Sequence, residues 1–143
     1  MYYLVYVSNT QKPFEEEELI NLLHECTTNN KEHAITGLLI YSESKFIQVL
    51  EGEKDVVHAL FKRIKTDARH HKATIIIEGN LEFRNYPDWT MAFRSISAAD
   101  LDKKLGFASI SDYFEQHQIT ESSHVAEVFM KLFFDKNYKH SIV

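Results

Sequence analysis

Hydrophobic and polar residues alternate at the start of the chain and then recur at helical spacing. Side chains of the predicted strand Tyr2–Ser8 alternate between the two faces of a sheet. A helix is predicted to begin after Pro13, because proline is tolerated in a first turn and the four glutamates at 15–18 suit the helix dipole. The polar run 27–30 is predicted to end this helix. Its apolar stripe consists of Leu19, Leu22, Leu23 and Cys26.

The middle of the chain combines further strands with a second helix. The predicted elements are a strand hairpin at 35–41 and 45–52, a helix at 53–69, a strand at 74–78, a loop at 79–87 and a strand at 90–96. The resulting order, β-α-β-β-α-β-β, predicts an α+β fold. Its architecture is a ferredoxin-like sheet with two helices on one face.

The pattern changes after Ser97, which divides the chain into a sheet domain at 1–97 and a C-terminal helical extension at 98–143. The helices predicted in the extension span 98–105, 111–116 and 122–136. The last helix carries an apolar stripe of Val125, Val128, Phe129, Leu132 and Phe133. An apolar stripe of this size must pack, so we expect it to cover the open face of the sheet or to contact another subunit.

Composition narrows the classes of function. A chain of 143 residues suffices for one domain that buries roughly 68–70% of its unfolded surface. A net charge of −5 argues against the basic face that nucleic acid requires, and no apolar run reaches the ~20 residues of a membrane helix. The single cysteine excludes an internal disulfide, and the N-terminus carries no secretion signal. A cytoplasmic location is therefore expected.

Motifs of the common enzyme classes are absent from the sequence. It contains no glycine-rich phosphate-binding loop, no HExxH and no GxSxG. His70 and His71 are adjacent and point in different directions in any regular element, and they lack thiolate partners. We therefore expect neither a metal site nor enzymatic catalysis.

One polar pair stands out on the predicted sheet. Gln48 lies between Phe46 and Leu50 on one face of its strand, and Tyr6 shares its face with Leu4. If helices cover that face, both polar groups are buried and need partners. One interpretation is structural: the two side chains bond to each other or to backbone. The other is that they line a pocket for a polar heteroaromatic ligand.

The sequence resembles the BLUF domain, a blue-light sensor that uses FAD. The resemblance runs from about Tyr2 to Ser97, and its strongest part is the strand pair ITGLLIY and FIQVLEG. The residues that carry it are Tyr6-Val7-Ser8, Asn29-Asn30, 35–41, 46–52, Arg63-Ile64, 67–71 and Trp89-Thr90-Met91.

The resemblance implies that FAD is held non-covalently between the two helices that pack on one face of the sheet. It implies that Tyr6 donates an electron to the excited flavin, and that Gln48 lies between Tyr6 and the N5/O4 edge of the ring. The other roles that it implies are Asn30 and neighbouring Asn29 at the flavin carbonyl and ring N–H, Arg63 and Asp67 at the pyrimidine end, Leu22 and Ile64 on the ring faces, His70 at the cofactor, and Trp89 and Met91 as reporters of the switch.

Several of these residues also have structural interpretations. Asn29 and Asn30 could cap the C-terminus of the first helix, since Asn tolerates a left-handed conformation. Arg63 and Asp67 stand four residues apart and could form a surface pair worth ~0.3–0.5 kcal/mol. Leu22, Ile64 and Trp89 could be ordinary core residues. By the same resemblance, the position of Cys26 is one where a small polar side chain helps to orient Gln48. A thiol is only a weak hydrogen-bond donor, so Cys26 is poorly suited to that contact.

Rearrangement at Gln48 and Met91 is expected to shift the fifth predicted strand, so that the output runs through this strand and 95–106 into the helical extension. Because the light reaction turns over no substrate, the switch should act on a partner protein or on the oligomeric state. An RNA-binding domain of the RRM type shares the β-α-β-β-α-β order. The net charge of −5 and the lack of an RNP1-like K/R-G-F/Y motif argue against this alternative. An acylphosphatase-like hydrolase would need an arginine in a phosphate cradle after the first strand, where Asn9-Thr10-Gln11 offers none. FAD and FMN are not distinguished.

Overall fold

Five strands form a single sheet in the computed structural model, which describes residues 1–10, 12, 14–42, 44–87, 92–95 and 124–142. The elements are β1 (Tyr2–Asn9), α1 (Glu16–Glu32), β2 (Thr36–Ser42), β3 (Lys45–Gly52), α2 (Lys54–Thr66), β4 (His71–Asn80), β5 (Ala92–Ser95) and α3 (Val125–Ile142). The strand order is β4-β1-β3-β2-β5. All pairs are antiparallel except β2 with β5, which is parallel. The predicted α+β, ferredoxin-like fold is confirmed.

The sheet buries side chains on both of its faces, because side chains alternate along each strand. One face packs with α1 and α2, in a cluster that contains Leu4, Leu23 and Phe46. The opposite face packs with α3, where Met130 belongs to the same cluster as Val5. The expectation that the tail covers the open face of the sheet is confirmed for α3.

Helix α1 continues to Glu32, so its predicted end at 27–30 is too early. A capping box formed by Glu15 and Glu18 begins the helix. At the other end, the backbone N–H of His33 donates to the carbonyls of Asn29 and Asn30, and Ala34 takes the left-handed conformation with φ 54°. The interpretation of the two asparagines as the cap is therefore wrong. Tertiary packing overrides their weak helix propensity.

Helix α2 ends at Thr66, three residues before its predicted end. The carboxylate of Asp67 accepts a hydrogen bond from the backbone N–H of Arg69 at 2.9 Å. A short acidic side chain that bonds the backbone two residues on competes with the helix. Strand β4 then begins at His71 and runs to Asn80, so it is longer than the predicted strand at both ends.

Helix α3 buries a different stripe from the one predicted. Ala126 and Met130 are buried and Phe133 packs beside them, whereas Val125 is 37% exposed and Leu132 is 59% exposed. The prediction is wrong for Val125 and Leu132. This part of the helix is apolar on more than one side, so periodicity alone cannot decide which side faces the sheet.

Part of the predicted relay lies outside the described residues. Trp89, Met91 and the predicted helices at 98–105 and 111–116 belong there, whereas β5 falls inside its predicted range. Within the part of the chain that the structure describes, no helix is long and apolar enough to cross a membrane.

A buried carboxylate anchors the loop that follows β4. Glu51 is 0% exposed and accepts hydrogen bonds from the backbone N–H groups of Asn85 at 2.7 Å and Tyr86 at 2.9 Å, and from the Thr36 hydroxyl at 3.1 Å. Arg84 donates to the Thr36 hydroxyl at 2.7 Å and to the Glu51 carbonyl at 2.9 Å. The loop is thereby fixed to β2 and β3.

Replacing this carboxylate by the isosteric amide tests the anchor. In Glu51→Gln one acceptor oxygen becomes an NH2 group that faces a backbone N–H, and the charge is lost. We expect the free energy of unfolding to fall by about 2–3 kcal/mol, because a hydrogen bond to a charged group is removed and a buried donor is stranded. Urea denaturation measures the loss. The matched change Glu53→Gln, at an exposed position, should cost under about 0.5 kcal/mol; equal losses in the two variants would contradict the anchor.

Candidate functional site

Three side chains stand side by side across the sheet beneath the two helices. The strand register pairs Gln48 of β3 with Tyr6 of β1 and with Leu39 of β2. Tyr6 is 1% exposed and Gln48 is 2% exposed. The Tyr6 hydroxyl donates a hydrogen bond to the Gln48 side-chain oxygen Oε1. The structural interpretation of this pair is therefore confirmed.

The same pair also lines a cavity of about 330 Å³ between the sheet, α1 and α2. The two interpretations of the pair are thus compatible, because the bonded side chains form part of a cavity wall. All nine predicted site residues that the structure describes line this cavity: Tyr6, Leu22, Asn29, Asn30, Gln48, Arg63, Ile64, Asp67 and His70. The structure brings these residues together, and their roles toward a ligand stay predictions.

An ion-pair network borders the cavity and includes a residue that the sequence did not single out. Arg69 lines the cavity, where its Nη2 donates to Asp67 at 2.7 Å and to Glu25 at 2.8 Å. The hydrogen bond from Arg69 lowers the pKa of the Asp67 carboxyl, and the same bond raises the pKa of Arg69. Asp67 thus stays ionised at neutral pH.

The interpretation of Arg63 and Asp67 as a surface ion pair is wrong. Asp67 bonds to Arg69, while the Arg63 Nη2 donates to the Asn29 Oδ1 at 2.9 Å. The i, i+4 spacing was misleading because α2 ends at Thr66, so Asp67 no longer follows the helical path. The sequence signal for the role of Arg69 is its position two residues after Asp67, just beyond the end of α2, where a guanidinium and a carboxylate can pair.

The two asparagines near the end of α1 lie at the cavity with different exposure. Asn30 is buried, and Asn29 is half-buried and held by Arg63. The Asn29 amide donates weakly to the Asn30 Oδ1 at 3.4 Å. Amides at this point can both donate and accept hydrogen bonds toward a ligand.

His70 lines the cavity and is tied to Ser8 of β1. The Ser8 Oγ and the His70 Nδ1 share a hydrogen bond at 2.8 Å. The His70 ring lies edge-on to Tyr6, with ring centres 6.3 Å apart, and 5.4 Å from the ring centre of Phe46. Burial lowers the pKa of His70, so its imidazole is neutral at neutral pH.

Two further groups in the cavity wall keep their protons. Burial raises the pKa of Tyr6 well above its ordinary value, and burial raises the pKa of the Cys26 thiol to about 11. The phenol of Tyr6 is therefore neutral and its hydroxyl hydrogen is available to Gln48. In the described part of the chain, no group of three or more His, Cys, Asp or Glu side chains could hold a metal ion.

The chain is similar to several known proteins whose names refer to light. Photoactivated adenylate cyclase subunit beta of Euglena gracilis is 36% identical over 89 residues, which are 62% of this chain and 10% of that protein. The structure of a bacterial light-regulated adenylyl cyclase matches with a TM-score of 0.63 and 26% identity, covering 95% of this chain and 32% of that one. The dark-state structure of BlrB, a BLUF protein, shares the fold with a TM-score of 0.67 at 22% identity, covering 92% and 93% of the two chains.

These matches differ in extent. The chain spans about a tenth of the length of the curated cyclase that it matches. A family match is found as well: residues 1–92 fit BLUF, described as sensors of blue light using FAD. Because this match covers more than half of the sequence, the chain belongs to the BLUF family of blue-light sensors.

Proposed function

We propose that the chain is a blue-light photoreceptor that binds FAD non-covalently, with the isoalloxazine ring in the cavity between α1 and α2. The cavity volume of about 330 Å³ lies at the lower end of the range for small-molecule sites, which suits a flat tricyclic ring. Leu22 and Ile64 line it from the two helices and offer apolar contact to the ring faces. Polar side chains such as Asn30, Gln48 and Asp67 also line the cavity and can bond to the polar edges of the isoalloxazine ring.

The polar groups of the cavity complement the pyrimidine end of a flavin. That end alternates carbonyl acceptors with an N–H donor. Asn30 offers both donor and acceptor, the Asp67 carboxylate accepts, and the Arg69 guanidinium donates. The hydrogen bond from Arg63 to Asn29 supports a positioning role for Arg63 beside its predicted contact with the cofactor.

Tyr6 and Gln48 would perform the switch. A bound flavin supplies blue-light absorption and, once excited, a strong one-electron oxidant. Tyr6 would supply an electron together with the proton of its hydroxyl, and Oε1 of Gln48, the atom to which that hydroxyl is already bonded, would accept the proton. Return of the electron and of a proton to Tyr6 would leave Gln48 rotated or in another tautomer, with no net change of charge. An amide can change its hydrogen bonds in this way without moving the backbone.

The hydrogen bond between Tyr6 and Gln48 in the cavity wall carries this proposal. The test is an absorption spectrum of the purified protein before and after blue illumination. We expect a yellow protein whose flavin band shifts reversibly to longer wavelength, because the rearranged amide bonds more strongly to the O4 edge of the ring. A colourless protein that takes up no flavin on reconstitution, or a bound flavin that shows no shift, would refute the proposal.

The output would pass through β3 to α3. Gln48 lies on the helix-covered face of β3, and its neighbours Ile47 and Val49 lie on the other face, in the cluster that contains Met130. A shift of β3 at Gln48 therefore changes the surface on which α3 docks. Trp89 and Met91 stay predicted reporters of the switch. The effector is a partner protein, and the cyclases among the relatives illustrate the kind of activity that such a sensor controls.

Hydrogen exchange in the dark and under blue light tests this route. We expect amides in α3 to exchange faster in the light, because weaker docking on the sheet opens the helix more often. Exchange across 98–136 that is identical in the two states would contradict the route, even if the spectral shift is normal. An RRM-type function is disfavoured by the same helix, since α3 covers the sheet face that would bind RNA.

A further inference from the structure

A buried serine is hydrogen-bonded to the histidine of the cavity without lining the cavity itself. Ser8 is 2% exposed, and its Oγ lies 2.8 Å from the Nδ1 of His70, which does line the cavity. Either atom can carry the proton of this hydrogen bond. The choice matters because it decides whether the other ring nitrogen of His70, Nε2, is a hydrogen-bond donor or an acceptor.

The surroundings of Ser8 are set by an irregularity in the pairing of β1 with β4. Two residues of β4, at positions 72 and 73, stand opposite Ser8 alone, which is the arrangement of a β-bulge. Lys72 has φ 55°, so the backbone leaves the extended conformation at this point. On the other side of β1, Ser8 pairs with Phe46 of β3, whose side chain offers no hydrogen-bonding group. His70 is therefore the polar side chain that Ser8 meets.

The hydroxyl hydrogen of Ser8 has a single acceptor. Among the residues that the structure describes, the Nδ1 of His70 is the only hydrogen-bond partner of the Ser8 Oγ. If Nδ1 carried the proton and donated it to Oγ, the serine hydrogen would be buried without an acceptor, which is destabilising. If the hydroxyl donates to the lone pair of Nδ1, both groups are satisfied. The proton of the neutral imidazole then lies on Nε2.

The charges beside His70 do not reverse this assignment. Burial lowers the pKa of His70 and Arg69 lowers it further, while Asp67 raises it, and the ring stays neutral at neutral pH. Both oxygens of the Asp67 carboxylate already accept hydrogen bonds from Arg69. In the described part of the chain, Nε2 of His70 has no hydrogen-bond partner, so its N–H is available to a ligand in the cavity.

We propose that Ser8 is a positioning residue that fixes His70 in the tautomer with the proton on Nε2, so that His70 offers a hydrogen-bond donor to the bound flavin. This inference rests on the proposed function for the identity of the ligand, whereas the tautomer itself does not depend on it. A flavin ring presents carbonyl oxygens and nitrogen lone pairs, which accept hydrogen bonds. The opposite tautomer would turn a lone pair of Nε2 toward these acceptors and repel them.

The nitrogen NMR resonances of the His70 ring test the tautomer, and they can be recorded with or without bound flavin. His33 supplies a reference in the same spectrum, because its Nδ1 lies 2.7 Å from the carbonyl oxygen of Asn29, which can only accept. At about pH 8, where ordinary imidazoles are neutral, Nδ1 of His33 should be protonated. We expect His70 to show the reverse, with an unprotonated Nδ1 and a protonated Nε2. A protonated Nδ1 in neutral His70 would overturn the proposal.

Two variants of Ser8 connect the tautomer to flavin binding. Ser8→Ala removes the hydroxyl, so the Nδ1 resonance of His70 should move toward that of a free lone pair, while Ser8→Thr should keep it in place. Flavin affinity, measured by fluorescence quenching, should fall about three- to tenfold in Ser8→Ala and less than about twofold in Ser8→Thr.

Thr10→Val is the matched control for the loss of a hydroxyl. Thr10 is also buried, donates to the backbone carbonyl of Lys12 at 2.6 Å and does not line the cavity. This variant should change neither the Nδ1 resonance nor the affinity. If Ser8→Ala leaves the resonance or the affinity unchanged, or if the affinity falls equally in Ser8→Thr or Thr10→Val, Ser8 does not position His70 for the flavin. If the wild-type protein binds no flavin, the proposed function fails, while the Nδ1 resonance still decides the tautomer.

Discussion

Replacing Gln48 by leucine is expected to leave a yellow protein that no longer shifts its absorption under blue light. Leucine is similar in size and fills the place of a side chain that is 2% exposed, so the cavity and the flavin should be retained. The loss of the amide removes the acceptor of the Tyr6 proton and the group whose hydrogen bonds change. The red shift should be absent rather than reduced, because Leu39, the described neighbour of Gln48 on β2, has no hydrogen-bonding group to take the place of the amide.

The control for this variant keeps the amide and changes the packing beside it. Leu39 pairs with Gln48 in the strand register and lines the same cavity. Leu39→Val removes one methylene and should cost about 1 kcal/mol of stability, while the red shift persists. Difference spectra, flavin content and thermal unfolding are compared for both variants. A normal red shift in Gln48→Leu, or its loss in Leu39→Val, would show that the amide is not the switching group.

The fold could be predicted because its signals are local. Alternation along β1 and β3 assigns each side chain to a face, and the short polar connection at 42–44 predicts a hairpin. Alternation groups Tyr6 with Leu4 and Gln48 with Phe46 and Leu50, and the structure shows that these residues lie on the face covered by α1 and α2. The strand register then makes Tyr6 and Gln48 direct neighbours, which alternation alone does not specify.

The remaining features depend on long-range contacts. Glu51 binds a loop more than thirty residues later in the chain, and nothing in its own strand indicates that contact. Arg69 reaches both Asp67 and Glu25, and the second of these lies on another helix. The buried side of α3 depends on which residues of the sheet it meets. No periodicity encodes such pairings, so only the three-dimensional structure reveals them.

Tyr6→Phe is expected to abolish the normal light reaction while keeping the flavin. The phenylalanine ring retains the packing of Tyr6 against Phe61, whose ring centre lies 5.4 Å away. It lacks the hydroxyl, so the oxidisable phenol and the proton for Gln48 are both lost. Because burial keeps the pKa of Tyr6 well above its ordinary value, the wild-type residue supplies electron and proton together at neutral pH. Without this donor the excited flavin should decay by emission, and its fluorescence should rise as the red shift disappears.

Tyr41→Phe is the matched control, because Tyr41 is also a buried tyrosine of the same core but does not line the cavity. Its hydroxyl accepts hydrogen bonds from the backbone N–H groups of Phe14 at 2.8 Å and Ser44 at 3.2 Å. Each variant should therefore lose about 1 kcal/mol or more of stability through a buried hydroxyl. Only Tyr6→Phe should lose the red shift and gain fluorescence. If Tyr6→Phe still forms the red-shifted state, or if Tyr41→Phe loses it as well, the electron and proton do not come from Tyr6.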